Sequence, residues 1–135
     1  MSTVSQSAPG LWAFVQTGES LPLWPTDEAP AFAWSKRFDE LLRLRDLKND
    51  WDGEGSEAPH VGLVDGAMTL AQWLESEGTP SPERISASQN GTIYFEWHND
   101  LGYVEIEVTS PRDAEYRCVP KGTDATKVMA LSRRS

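Results

Sequence analysis

Residues 92–108 have the sequence TIYFEWHNDLGYVEIEV, and this stretch decides the fold. Apolar and polar side chains alternate along it, which is typical of two half-buried β-strands. Between the two runs, Asn99-Asp100-Leu101-Gly102 has the composition of a tight turn. The stretch therefore predicts an antiparallel hairpin whose apolar face consists of Ile93, Phe95, Trp97, Val104, Ile106 and Val108.

Further strands are predicted on both sides of this hairpin. Asn90-Gly91 is a strong hairpin signal, and it follows a strand candidate at residues 84–88. Pro111-Arg112-Asp113 turns the chain into another candidate at residues 114–119, where Tyr116 and Cys118 share the apolar face. Because consecutive short strands joined by tight turns form a meander, we predict a three- to four-stranded antiparallel β-meander.

Two helical patterns precede the meander. Within residues 33–47, Trp34, Phe38 and Leu41 recur at spacings of three and four, which predicts an amphipathic helix. A second pattern follows Pro59 and runs to about Glu77, where Gly78 and Pro80 end it. An antiparallel sheet with one apolar face needs a cover, which two such helices supply. The predicted fold class is α+β, with two amphipathic helices packed on the meander.

The chain of 135 residues has the length of one domain. Residues 1–31 contain four prolines, which exclude a long helix, so we expect an extended, partly ordered arm with a candidate edge strand at residues 11–15. Residues 32–120 are predicted to form a single α+β domain. Residues 121–135 are expected to be a flexible basic tail.

The charge of the chain is strongly negative and unevenly distributed. The net charge is −9, while residues 121–135 hold Lys121, Lys127, Arg133 and Arg134 against Asp124 alone. The rest of the chain therefore carries about −12 and repels nucleic-acid phosphates. Direct nucleic-acid binding is therefore not expected unless the short basic tail does it alone, and a basic protein partner is favoured.

No feature of the sequence predicts a membrane, secretory or disulfide-bonded protein. No apolar run approaches the roughly 18 residues that cross a bilayer. The first ten residues lack the basic and apolar regions of a secretory signal. The single cysteine, Cys118, cannot form an internal disulfide or a cysteine-based zinc site and is expected to be a buried strand residue. We expect a cytoplasmic protein without a cofactor.

A set of short motifs carries a family resemblance. These motifs are Trp51-Asp52-Gly53-Glu54-Gly55, Ala58-Pro59, Pro82, Ile85, Gly91, Ile93, Phe95-Glu96-Trp97 and Glu105-Ile106-Glu107. Together they resemble a set of small bacterial hypothetical proteins with a WDG-type loop and a late FEW strand. The resemblance covers roughly residues 38–118. The resemblance supports the α+β fold predicted above and implies no particular activity.

The outer face of the meander is the first candidate for chemistry. A four-residue loop at residues 99–102 places Glu96 opposite Glu105, Tyr94 opposite Glu107 and His98 opposite Tyr103. Arg117 would then face Glu105 or Glu107.

Like charges directly opposite each other destabilise a sheet, so a cation is expected between Glu96 and Glu105. One alternative is a divalent metal held by Glu96, Glu105, Glu107 and His98, in a metal-binding protein or a metal-dependent hydrolase. The other is a solvated sheet face neutralised by Arg117.

The loop between the helices is the second candidate. Asp50, Asp52 and Glu54 followed by Gly55 match the opening of a calcium-binding loop. The match fails at Val61, where a bidentate glutamate should lie. We therefore interpret the loop as a structural turn in which Trp51 packs into the core.

Known catalytic motifs are absent from the sequence. It contains no G-x-S-x-G elbow, glycine-rich phosphate loop or H-E-x-x-H motif. His60 and His98 are isolated from each other and from any activated nucleophile in the sequence. The sequence therefore favours a protein without catalytic residues.

The aromatic residues not clearly assigned to the core have two interpretations: they form the rim of the core, or they bind a partner, since tryptophan is enriched at interface hot spots. The predicted partner-binding residues are Trp12, Trp24, Trp73, Tyr94, Glu96, Glu105 and Glu107. The resulting hypothesis is a non-enzymatic acidic interaction module, of the antitoxin, immunity or inhibitor type, that binds a basic surface of a partner protein.

Overall fold

A computed structural model describes residues 11–15, 33–123 and 125–134, with only the main chain of Asn99. The elements, in chain order, are β1 (Trp12–Phe14), α1 (Ala33–Leu44), α2 (Val61–Ser76), β2 (Arg84–Ala87), β3 (Ile93–Asn99), β4 (Gly102–Ser110), β5 (Asp113–Pro120) and β6 (Lys127–Arg133). The strands form one antiparallel sheet in the order β1-β6-β5-β4-β3-β2. The α+β prediction with two helices is confirmed. The predicted number of three to four strands is too low, because the described residues alone form a sheet of six.

The helices lie on one face of the sheet and bury its apolar side. α2 packs across β4, β3 and β1, while α1 packs against β2 and α2. Cys118 is buried in β5, as predicted. The inward side chains of the sheet are Trp12, Ile85, Ile93, Phe95, Trp97, Val104, Ile106, Val108, Ala114, Tyr116, Cys118, Met129 and Leu131. Those of the helices are Trp34, Leu41, Leu63, Val64, Ala67, Leu70, Ala71 and Leu74.

The second helix has sequence-encoded ends. At its start, the Nδ1 atom of His60 accepts a hydrogen bond of 3.3 Å from the Gly62 amide, which satisfies one of the unpaired amides of the first turn. At its end, Gly78 has φ +81, and the amides of Gly78 and Thr79 donate to the carbonyls of Glu75 and Leu74. This Schellman arrangement is the one that a glycine after a helix predicts.

The close packing of α2 on the sheet requires a glycine. A Cβ atom at Gly66 would lie 2.6 Å from the carbonyl oxygen of Pro111 in the turn between β4 and β5. Any larger residue there would push the helix away from the sheet.

The connection from α2 to β2 is held by side-chain donors. The indole of Trp34 donates to the Thr79 carbonyl at 3.0 Å, and the indole of Trp97 donates to the Pro80 carbonyl at 2.8 Å. Glu40 of α1 accepts a hydrogen bond of 2.9 Å from the Ile85 amide on the edge strand β2. This carboxylate therefore occupies a backbone donor on the edge of the sheet.

Two segments outside residues 32–120 belong to the same sheet. Residues 127–133 form β6, which pairs with β5 and β1, so the prediction of a flexible tail is wrong for them. The candidate edge strand in the arm is confirmed as β1, and it joins the same sheet. The rest of the predicted arm lies outside the described residues. Among the described residues, no helix is long and apolar enough to span a membrane.

We expect Leu131→Ala to lower the free energy of unfolding by about 2–5 kcal/mol, since it removes a buried side chain from the core. Leu131 is 1% exposed, whereas Val128 on the same strand is 53% exposed and lies on the outer face. Val128→Ala should therefore change stability by less than about 0.5 kcal/mol. Urea denaturation of both variants measures the difference. Equal stabilities would contradict the placement of β6.

Candidate functional site

The strand register brings the predicted outer-face residues together. Tyr94 lies opposite Glu107, Glu96 opposite Glu105, and His98 opposite Tyr103. Arg117 lies opposite Glu105 on the next strand. Each of these pairings agrees with the prediction. Two glutamates therefore face each other directly across β3 and β4, on the side of the sheet away from the helices.

Arg117 supplies the cation that this arrangement needs. Its guanidinium donates to Glu105 and Glu115 and, at 2.9 Å, to Glu107. The side chain of Arg117 is only 29% exposed. One arginine thus bridges three carboxylates on two strands, in the charge-assisted geometry that arginine favours.

Further donors complete the network. The hydroxyl of Tyr103 donates to Glu105 at 2.8 Å, and that of Thr92 donates to Glu107 at 2.9 Å. Arg84 on β2 pairs with Glu96 at 2.9 Å. We call the set of Arg84, Thr92, Glu96, Tyr103, Glu105, Glu107, Glu115 and Arg117 the sheet-face network. Its glutamates are engaged by groups of the same chain.

The pKa values in the sheet-face network follow from this pairing. Partial burial raises the pKa of Glu107, but hydrogen bonds from Arg117 and Thr92 more than offset it, so the net pKa is lowered. Partial burial and the hydrogen bond to Glu105 raise the pKa of Tyr103. The hydrogen bond to Glu107 is the main reason that the pKa of Arg117 is raised. Glu107 therefore stays ionised and paired with Arg117 at neutral pH.

Sequence reasoning missed Arg84, Thr92 and Glu115 as members of this network. Arg84 faces Glu96 because β2 pairs with β3 in the register set by the Asn90-Gly91 turn. Glu115 lies two residues before Arg117, and residues two apart on a strand share a face. The alternation of side chains along a strand could have identified both Arg84 and Glu115 from the sequence.

The metal alternative has no support in this geometry. In the part of the chain that the structure describes, no group of three or more histidine, cysteine, aspartate or glutamate side chains is arranged to hold a metal ion. Arginine occupies the place between the carboxylates of Glu105 and Glu107. The ring of His98 lies against Tyr103, with 6.2 Å between the ring centroids.

The predicted aromatic binding residues lie in different environments. Trp12 is 1% exposed, and its indole donates to Thr69 at 2.9 Å. Trp73 is half-buried against Phe14, with ring centroids 6.1 Å apart. Tyr94 is half-buried on the outer face, and Trp24 lies outside the described residues. None of the three described aromatics therefore offers a fully exposed ring.

The loop between the helices differs from the prediction in one respect. Trp51 does not pack into the core, because its side chain is 37% exposed and its indole donates to the Glu57 carbonyl at 3.1 Å. We call residues 49–58 the Trp51 loop. Both carboxylate oxygens of Asp52 accept hydrogen bonds from Ser56, and one also accepts from the Glu54 amide. The hydrogen bond from the Ser56 side chain is the main cause that lowers the pKa of Asp52.

An open cavity of about 540 Å³ lies at one end of the outer face. Its lining includes His98, Asp100, Tyr103, Val119 and Lys121. Asp100 and Lys121 carry opposite charges, so the lining does not select an anion or a cation.

No protein-family model, no curated protein and no solved structure matches the chain. The resemblance to WDG-loop bacterial proteins therefore stays a prediction.

We expect Arg117→Ala to lower the free energy of unfolding by about 1–3 kcal/mol at pH 7, because three partly exposed glutamates lose their shared charge-assisted donor. Arg112→Ala is the matched control, since this exposed arginine forms no ion pair with a described side chain. Chemical denaturation measures both. A variant Arg117→Ala as stable as the control would show that the network contributes nothing.

The lowered pKa of Glu107 predicts a pH dependence. Since the folded-state pKa lies below the ordinary glutamate value of about 4.3, the stabilisation is complete above that pH and is lost as the pH falls through the folded-state pKa. The stability difference between the wild type and Glu107→Gln should therefore be largest near pH 7 and shrink below about pH 4. A difference that stays constant from neutral to acidic pH would contradict the pairing.

Proposed function

We propose that the protein is a non-enzymatic interaction module that binds a basic surface of a partner protein. The proposal rests on one observation: some of the carboxylates on the surface are paired with arginine side chains, and others are not. In the sheet-face network, Arg84 and Arg117 are paired with four glutamates. Residues 46–57 are different, because only Lys48 accompanies Asp46, Asp50, Asp52, Glu54 and Glu57.

The carboxylates of residues 46–57 form no ion pair with any described side chain. All five residues are exposed. An exposed surface of one charge attracts oppositely charged proteins and speeds their association. With a net charge of −9, the whole chain adds to this attraction. A basic protein surface is therefore the favoured partner.

The two histidines and the cysteine, which all lie in the described part of the chain, are placed apart from one another, which supports a binding role. His60 caps α2 at one site. His98 lies on the outer face of the sheet, whereas Cys118 is buried on the inner face. A nucleophile with an adjacent base would need these groups within hydrogen-bonding distance.

The test begins with the immobilised protein and a lysate of the native host, followed by purification of each retained protein and titration of the pure pair by calorimetry. We expect a partner whose affinity falls steeply between 50 mM and 500 mM salt, because salt screens exposed charges. Charge reversal of Asp46, Glu54 and Glu57 to lysine should abolish binding. The same reversal of Asp39 and Glu75 on the helices and of Glu77 directly after α2 is the matched control.

Two results would overturn the proposal. One is a reconstituted complex whose affinity is insensitive to salt. The other is turnover of a substrate by the purified protein alone, in the absence of any partner.

A further inference from the structure

Trp51 is a large apolar side chain on an exposed loop. It is 37% exposed, while Trp12, Trp34 and Trp97 are each at most 7% exposed. Its neighbours on both sides, Asp50 and Asp52, are charged and exposed. Tryptophan is enriched among the residues that contribute most of the binding energy at protein interfaces.

The Trp51 loop is held in one conformation by its own hydrogen bonds. Asn49 accepts from the Ala58 amide at 3.0 Å, and Asp50 accepts from the Gly55 amide at 2.7 Å. The indole of Trp51 is itself bonded to the Glu57 carbonyl. The Glu57 amide donates to Gln89 at 2.9 Å, which ties the loop to the sheet. An ordered loop loses little conformational entropy on binding.

The charge around Trp51 favours a cation. The sheet-face glutamates have arginine partners, but Asp50, Glu54 and Glu57 have no cationic partner among the described side chains. Asp52 already accepts hydrogen bonds from Glu54 and Ser56. The charge and the exposed indole together therefore match a flat cation more closely than a compact metal ion.

We infer that the Trp51 loop is the docking surface for an arginine-bearing segment of the partner, an inference that rests on the proposed function. A guanidinium group can stack on the face of an aromatic ring. Its N–H groups then donate to carboxylates that lie at the edge of the guanidinium plane. The loop offers both the ring and the carboxylates. Lysine can supply the charge but not the flat donor geometry, so a preference for arginine is expected.

The experiment uses the full-length protein and two labelled peptides of eight residues, one of arginine and one of lysine, with fluorescence anisotropy as the readout. We expect the arginine peptide to bind more tightly at equal charge. Trp51→Ala, which leaves the net charge unchanged, should weaken binding of the arginine peptide about tenfold. Leu42→Ala is the matched control, since Leu42 is 48% exposed on α1.

Nuclear magnetic resonance locates the contact independently. The indole N–H signal of Trp51 is assigned by its disappearance in Trp51→Phe. On addition of the arginine peptide, this signal should shift, while the indole signals of buried Trp12, Trp34 and Trp97 should not. Circular dichroism of Trp51→Ala checks that the variant is folded.

The outcomes separate this inference from the proposed function. Peptide binding that survives Trp51→Ala but is lost in Glu96→Gln/Glu105→Gln would overturn the location and leave the function standing. Failure of both the peptides and the host partner to bind the wild type would overturn the proposed function as well. Concentration-dependent self-association that Trp51→Ala abolishes would identify a second copy of the chain as the occupant and overturn the arginine assignment.

Discussion

Burial of the alternating apolar side chains of β3, β4 and β5 beneath α2 is the constraint on which the rest of the structure depends. A shift of one residue in any of these strands would turn its apolar set to solvent, so the register is specified by this burial. The same register places Glu96 opposite Glu105 on the other face. That juxtaposition is unfavourable alone, and Arg117 and Arg84 offset it. The inner face thereby determines the chemistry of the outer face.

The glutamates of the outer face are already engaged by side chains of the same chain. Their oxygens accept hydrogen bonds from arginine, tyrosine and threonine side chains on the same face of the protein. A metal ion or a partner would have to displace these donors. Among the described side chains, the carboxylates of the Trp51 loop have no arginine partner, which is why the docking surface is proposed there and not on the sheet.

The helices, the central hairpin and the pairing of Glu96 with Glu105 were predictable because each depends on local periodicity and a short turn. β6 could not be predicted in this way. Only Met129 and Leu131 of this basic segment face the core, and the pairing of β6 with β1 joins distant parts of the chain. The exposure of Trp51 could not be predicted either. Composition favours burial of a tryptophan, and the periodicity of the sequence does not predict that its indole donates to a carbonyl six residues later.

The most direct test of this account is a double-mutant cycle between Arg117 and Glu107, built from Arg117→Met, Glu107→Gln and the double variant. Chemical denaturation at pH 7 gives the coupling energy. The account predicts a favourable coupling of about 1 kcal/mol or more, as expected for two groups in one network. A coupling within about 0.3 kcal/mol of zero would contradict it, because independent sites are additive to that extent. The outer-face glutamates would then be free to bind a partner.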